Sequence, residues 1–203
     1  MKYKIEKRNR IIIGVVLSLF MLSSLGSVIL YYGNSDSDSN KFTLDLSNGK
    51  YQFVRKQDNS GNLYYEVSSD NTKFNVFYAP EQLTLDINKD ILDQIKDTYF
   101  FYLTFNPEEP DLTYVDYLRF DLRNNIPKTK YFQDAILKES ETYNLPIVTC
   151  ENATLQTPVI VLKQGNSTNV TEADNCINLE FAPYQLLQVR DILVYLMHNI
   201  DIR

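Results

Sequence analysis

The chain has 203 residues, with 20 basic and 26 acidic side chains, a net charge of −6, one histidine, two cysteines and six glycines. Residues 1–10 hold five of the bases and one of the acids, so the remainder carries 15 against 25, a net −10. That acidity argues against nucleic acid or an anionic lipid surface as partner, both being polyanions. With so few glycines and no Gly-rich phosphate loop, nucleotide binding is not expected either.

The chain begins with "MKYKIEKRNR", followed by "IIIGVVLSLFMLSSLGSVILYY", residues 11–32, without a single ionisable Asp, Glu, Lys, Arg or His. As a helix these 22 positions reach roughly 33 Å, enough for the hydrocarbon core of a bilayer. A single transmembrane helix over 11–32 is therefore expected. Residues 1–10 form a basic cytoplasmic segment, and Tyr31 and Tyr32 lie at the outer interface. The competing reading is a cleaved signal peptide with its apolar region at Ile11 to Leu22 and small residues at Ser24-Leu25-Gly26. Under either reading the rest of the chain lies outside the cytoplasm.

Residues 33–40, "GNSDSDSN", read as a polar linker. Residues 41–80 read as an antiparallel meander of four strands. In "KFTLDLSNGKYQFVRK" the Asn48-Gly49 pair separates two alternating runs and predicts a two-residue hairpin, with Leu46 opposite Tyr51 and Leu44 opposite Phe53. "QDNSGN" is a turn, and "LYYEVS" pairs with "KFNVFYA" through Ser69-Asp70-Asn71.

Residues 81–203 read as an α/β portion packed with the meander. Ile87, Ile91, Leu92 and Ile95 fall at helical spacing, with Asn88 or Asp86 as cap. "TYFFYLTF" is apolar on both faces, as a central buried strand is. "LTYVDYLRFDLRNNIP" fits both periods and is assigned to a helix, because a buried parallel strand needs a crossover. "KYFQDAILKE", a short "PIVT", "TPVIVLKQG" and "NCINLEFA" follow as strands, the last two joined by a polar loop from Gly165 to Asp174. The closing "PYQLLQVRDILVYLMHNI" predicts a helix whose apolar stripe packs on the sheet. The fold class expected is thus α+β.

The element order from Thr98 to Arg203 resembles the thioredoxin-like fold, with Pro158 at the position of that family's cis-proline. The resemblance departs where it matters for chemistry. The family's CxxC belongs at the start of the first helix, and here that region reads "NPEEPDLTY". No redox role therefore carries over.

Cys150 and Cys176 have three possible uses. Zinc needs about four ligands, and the one histidine, His198, sits at the far end of the last helix, so no metal site is assigned. A reactive Cys150 needs a neighbouring cation, and its neighbour is Glu151. Outside the cytoplasm an even pair oxidises, which makes a structural Cys150–Cys176 disulfide the expected state. Asn152-Ala153-Thr154, Asn166-Ser167-Thr168 and Asn169-Val170-Thr171 are three N-glycosylation triplets, all between the two cysteines. The acids Glu108, Glu109, Asp111, Asp116 and Asp121 read as a solvated turn and helix surface, and the 15 tyrosines as an aromatic core for the sheet.

"LPIVTCENATLQTPVIVLKQGN" followed by "NCINLE" resembles uncharacterised archaeal single-pass membrane-anchored proteins. The resemblance implies a cell-membrane location with an extracytoplasmic α+β domain and adds no activity. The function expected is a non-catalytic surface or assembly module, without cofactor, that binds another envelope protein. The alternative is a degenerate thioredoxin-like thiol–disulfide enzyme using Cys150.

Overall fold

The computed structural model describes residues 40–202 apart from 47, 70 and 71. The basic segment 1–10, the span at 11–32, nearly all of the linker at 33–40 and the turn through Asp70 and Asn71 lie outside the described residues. Among the described residues no helix is long and apolar enough to cross a membrane. From Phe42 onward the chain is one compact unit.

Four strands form the antiparallel meander: β1 (Lys41–Leu46), β2 (Gly49–Gln57), β3 (Leu63–Ser69) and β4 (Thr72–Val76), in that spatial order. Alternation puts Phe53, Val67 and Phe74 opposite one another across three strands, all buried, as one apolar face requires. Phe42 stacks on Phe53 with centroids 4.9 Å apart. Between β2 and β3 the Asp58 carboxylate accepts the N–H groups of Ser60 and Asn62 at 2.8 and 2.9 Å. Gly61 takes the left-handed conformation there, at φ 89°.

The second sheet is mixed. It contains β5 (Phe100–Phe105), β6 (Tyr131–Ile136), β7 (Val159–Gln164), β8 (Asn169–Ala173) and β9 (Cys176–Phe181), in the spatial order β6-β5-β7-β9-β8. The first four in that order are parallel and β8 is antiparallel to β9. α1 (Lys89–Asp97) precedes β5, capped by the Asn88 side chain on the Asp90 N–H at 2.8 Å. α2 (Thr113–Asn125) supplies the β5–β6 crossover and buries Val115, Leu118 and Leu122. It ends where Pro127 forces Ile126 into extended backbone, at ψ 150°.

α3 (Leu186–Met197) buries ten of its twelve residues. A helix buried on nearly every side is an interior element rather than a layer with one wet face, which goes further than the single stripe expected. One core joins it to the meander, to α1 and α2, and to one face of the mixed sheet through Phe101, Leu103, Phe105, Ile160, Leu162, Ile177, Leu179 and Phe181.

Three expectations are corrected. The presumed loop from Gly165 to Asp174 contains β8, which returns to β9 through Asp174 and Asn175 with φ of 52° and 66°. Two left-handed residues between paired strands make a tight hairpin, and Asp and Asn are the side chains that tolerate that conformation. β7 and β9 are consequently parallel neighbours and not the two arms of a loop. The peptide bond before Pro158 is trans, no described bond being cis. Pro158 opens β7 by giving its carbonyl to the Tyr102 N–H at 3.1 Å, a position where the missing proline donor does no harm. Lastly, "PIVT" is no strand but a single bridge between Ile136 and Ile147.

Candidate functional site

Parallel strands are usually covered on both faces. Here the helices cover one face, and a strap, residues 137–158, crosses part of the other. The strap leaves the carboxyl end of β6, loops round and returns beside its edge in the parallel sense: Ile136 N–H donates to Pro146 O at 3.0 Å, and Val148 N–H donates to Ile136 O at 2.9 Å. It then passes over β5, where the buried Thr104 hydroxyl donates to Val148 O at 3.0 Å. Val148, Ala135, Val159 and Cys176 form a second, small core beneath it, flanked by Tyr102, Ala153 and Val161. A short 3-10 turn, Cys150–Asn152, ends the crossing. Its Cys150 is bonded to Cys176 at the start of β9, with Cα atoms 5.2 Å apart. The disulfide thus fastens the strap across the sheet, and Cys176 is 1% exposed beneath it.

The strap's other end is held by side chains. Tyr143 donates its hydroxyl to Asp116 Oδ2 at 2.9 Å, and burial together with that carboxylate pushes its pKa up. Arg119, buried in α2, bonds Asp134 Oδ1 at 2.9 Å and lies over the Phe105 ring at 4.4 Å. Asp116 and Arg123 complete the cluster. At the carboxyl end of β5 the Tyr143 ring packs edge-on against Phe105, centroids 5.0 Å apart, so a strap side chain occupies part of the end where open α/β sheets usually take ligands.

Beside the strap's far end lies a groove of about 600 Å³ between Asp90, Asp93, Gln94 and Asp97 of α1, residues 98–100, and Leu155-Gln156 of the strap. Tyr99 is 73% exposed and Leu155 69%. Tyr131, also largely exposed, stands in register beside Phe100 on the adjacent strand. The site combines aromatic and aliphatic side chains with a row of three carboxylates from one helix. Such a surface suits an apolar segment that also carries positive charge. Sequence reading missed it because α1's polar face looks like any solvated face, and Leu155 reaches it only through the strap.

The acids read as a solvated surface have partners. Glu108 pairs with Lys138, Asp111 caps the Thr113 N–H at 2.9 Å, and Asp121 binds Arg190. Among the described residues no three His, Cys, Asp or Glu side chains group as a metal site. The tyrosines divide: Tyr51 and Tyr195 join the core, whereas Tyr99, Tyr114, Tyr117, Tyr131 and Tyr184 are exposed. All three triplet asparagines are exposed. Asn152 sits in the 3-10 turn beside Cys150, while Asn166 and Asn169 lie at the opposite end of the sheet, at and before the start of β8.

Two buried groups hold the meander to the helices. Asp191 accepts the N–H groups of Phe77 and Tyr78 on one oxygen, at 2.7 Å each, and Arg190 Nη1 on the other at 2.7 Å. Burial pushes its carboxyl up to about 6 against the pull of Arg190 and the two amides. His198 Nε2 lies 2.8 Å from Asn125 O, and Nδ1 lies 3.1 Å from Thr72 Oγ1. A carbonyl only accepts, so Nε2 carries the proton and Nδ1 accepts from Thr72. Burial lowers this imidazole to about 4, with Lys130 adding to the effect and the Asn125 carbonyl opposing it.

Its linkage follows directly. The unfolded histidine titrates near 6.5, so between pH 6.5 and 4 the unfolded chain binds the extra proton and stability is lost as pH falls. Asp191 contributes with the opposite sign in an overlapping window, so the test is a difference. Relative to His198→Gln, the wild type is expected to lose about 3 kcal/mol across that range, read by denaturant unfolding at pH 7, 5.5 and 4. A pH-independent difference between the two proteins contradicts the buried neutral imidazole.

No protein-family model, no curated protein and no solved structure matches the chain.

Proposed function

We propose that the chain is a membrane-anchored module whose folded unit stands outside the membrane and docks an envelope protein through the groove at Tyr99, Phe100 and Leu155. The observation that carries this reading is the groove itself: exposed aromatic and aliphatic groups bordered by Asp90, Asp93 and Asp97, on a body of net −10 after residue 10. Charge complementarity selects a basic, partly apolar protein segment over an acidic one. The extracytoplasmic placement is supported by the residue pattern at 1–32 and by the bonded cysteines, since disulfides persist in oxidising compartments.

A photo-crosslinking residue at position 155 of the full chain in its native membrane tests the reading. It is expected to yield one discrete adduct, abolished when Asp90, Asp93 and Asp97 are changed to Asn. Position 184, 77% exposed and outside the groove, serves as the comparison. The same adduct from position 184, or one that survives removal of the carboxylates, contradicts it.

One observation favours a second reading. Cys150, unlike Cys176, is exposed, as the attacking thiol of a degenerate thioredoxin-like enzyme would be. Under that reading Cys150 cycles between thiol and disulfide, and under the first it stays bonded.

A further inference from the structure

The mixed sheet has two edges, and the chain treats them differently. At β6 the strap supplies backbone partners through Pro146 and Val148. At the other edge β8 pairs with β9 alone, so its outer side offers the main-chain groups of "NVTEA" to solvent. Such an edge is a template for another chain's strand unless something blocks it. It has no proline, and only its shortness of five residues and the exposed Glu172 blunt it.

This edge carries the back-to-back triplets "NSTNVT". Asn166 is exposed in the turn before β8 and Asn169 is its first residue. Val170 packs against the main core, so Asn169 and Thr171, which alternate with it, face away from that core. Among the described residues neither asparagine side chain makes a hydrogen bond, whereas Asn152 Oδ1 accepts the Thr149 N–H at 2.8 Å and helps form the turn that carries Cys150. Asn169 stands opposite Glu180, near the carboxyl end of β9. The groove begins at the amino end of β5, and β8 lies three strand spacings away, roughly 14 Å.

We propose that Asn166 and Asn169 form a tandem N-glycosylation site whose oligosaccharide caps the open β8 edge and leaves the groove clear. In the transfer, Asn Nδ2 bonds to C1 of the first sugar of a polyprenyl-diphosphate-linked oligosaccharide. The bond from C1 to the diphosphate oxygen breaks, the diphosphate leaves with the electron pair, and Nδ2 gives up one proton to a transferase base. At most about 10 Å of extended chain separates the two asparagines, so a sugar on either one covers the same strand. The inference rests on the extracytoplasmic placement proposed above, and its test keeps the two separable.

The full chain is isolated from membranes of the cells that make it. Cysteine state and the mass of the peptide spanning residues 164–180 are read in the same sample. The expected result is a bonded Cys150–Cys176 pair with sugar mass on Asn166 or Asn169. Two variants, N166Q/N169Q and N166Q/T171A, are expected to lose that mass and, still oxidised, to self-associate in light scattering where wild type and N152Q do not. An oxidised protein whose 164–180 peptide is entirely unmodified overturns the site. A reduced protein with that peptide unmodified overturns the placement as well. Sugar-free variants that remain as dispersed as wild type overturn the capping role.

Discussion

Replacing the disulfide by Cys150→Ser and Cys176→Ala is expected to lower the unfolding free energy by about 3.5 kcal/mol. The bond closes a segment of 26 residues separation, and in the chain-entropy treatment its main effect is to restrict the unfolded chain. Serine suits the exposed Cys150, and alanine avoids burying an unpaired hydroxyl at Cys176. The loss has a location as well as a size. Hydrogen exchange is expected to speed first at the Val148 amide, which bonds Ile136 O, while the meander keeps its protection. Faster exchange spread evenly over both sheets contradicts the strap as a locally held segment. The groove depends on the same fastening, because Leu155 is a strap residue. The double variant is therefore expected to weaken the crosslink from position 155 before it unfolds the protein.

The second large effect lies inside the core. Asp191→Ala strands the N–H groups of Phe77 and Tyr78 and removes one of Arg190's acidic partners. Asp191 is 0% exposed and Arg190 1%. Breaking one side of such a buried pair costs about 3–5 kcal/mol, chiefly from what is left uncompensated. The double change Arg190→Met with Asp191→Leu removes both charges yet still leaves the two amides and Asn75 O without these partners and takes the arginine from Asp121. It is expected to cost less than the sum of the single changes and still more than nothing. Chemical denaturation of the four proteins in a double-mutant cycle checks this. Strict additivity contradicts a shared network.

How legible this fold is depends on which signal an element uses. β2 and β4 alternate where they meet the core, at Tyr51 and Phe53 and at Phe74 and Val76, and α1 carries its cap in sequence at Asn88. β5 is readable because both faces are buried. β8 was not, since five residues with Val170 as their one core contact give no period. The signal that would have found it is Asp174-Asn175, a left-handed pair easily passed over without a glycine. α3 showed its stripe but not its surroundings. Arg190 and Asp191 look like surface charges in sequence, and their burial is matched by distant partners, the amides of Phe77 and Tyr78 for Asp191 and Asn75 O with Asp121 for Arg190.

The pairing of Cys150 with Cys176 was foreseen from compartment and cysteine count, whereas the strap's course was not. Nothing local in the polar segment from Lys138 to Thr157 says that it crosses a sheet. Its contacts at Tyr143, Val148 and Cys150 are each made with a different element. The groove shares that difficulty, because its two walls come from α1 and the strap and are joined only by tertiary structure.

We propose a stably fastened module outside the membrane in preference to a thiol enzyme. Its most direct test is thiol alkylation of the full chain in native membranes, read by intact mass before and after graded reduction. Neither cysteine is expected to alkylate without strong reductant, and a Cys150–Cys176 linked peptide is expected to be recovered. Ready alkylation of Cys150 in the untreated membrane contradicts it and makes the thiol–disulfide reading the one to pursue.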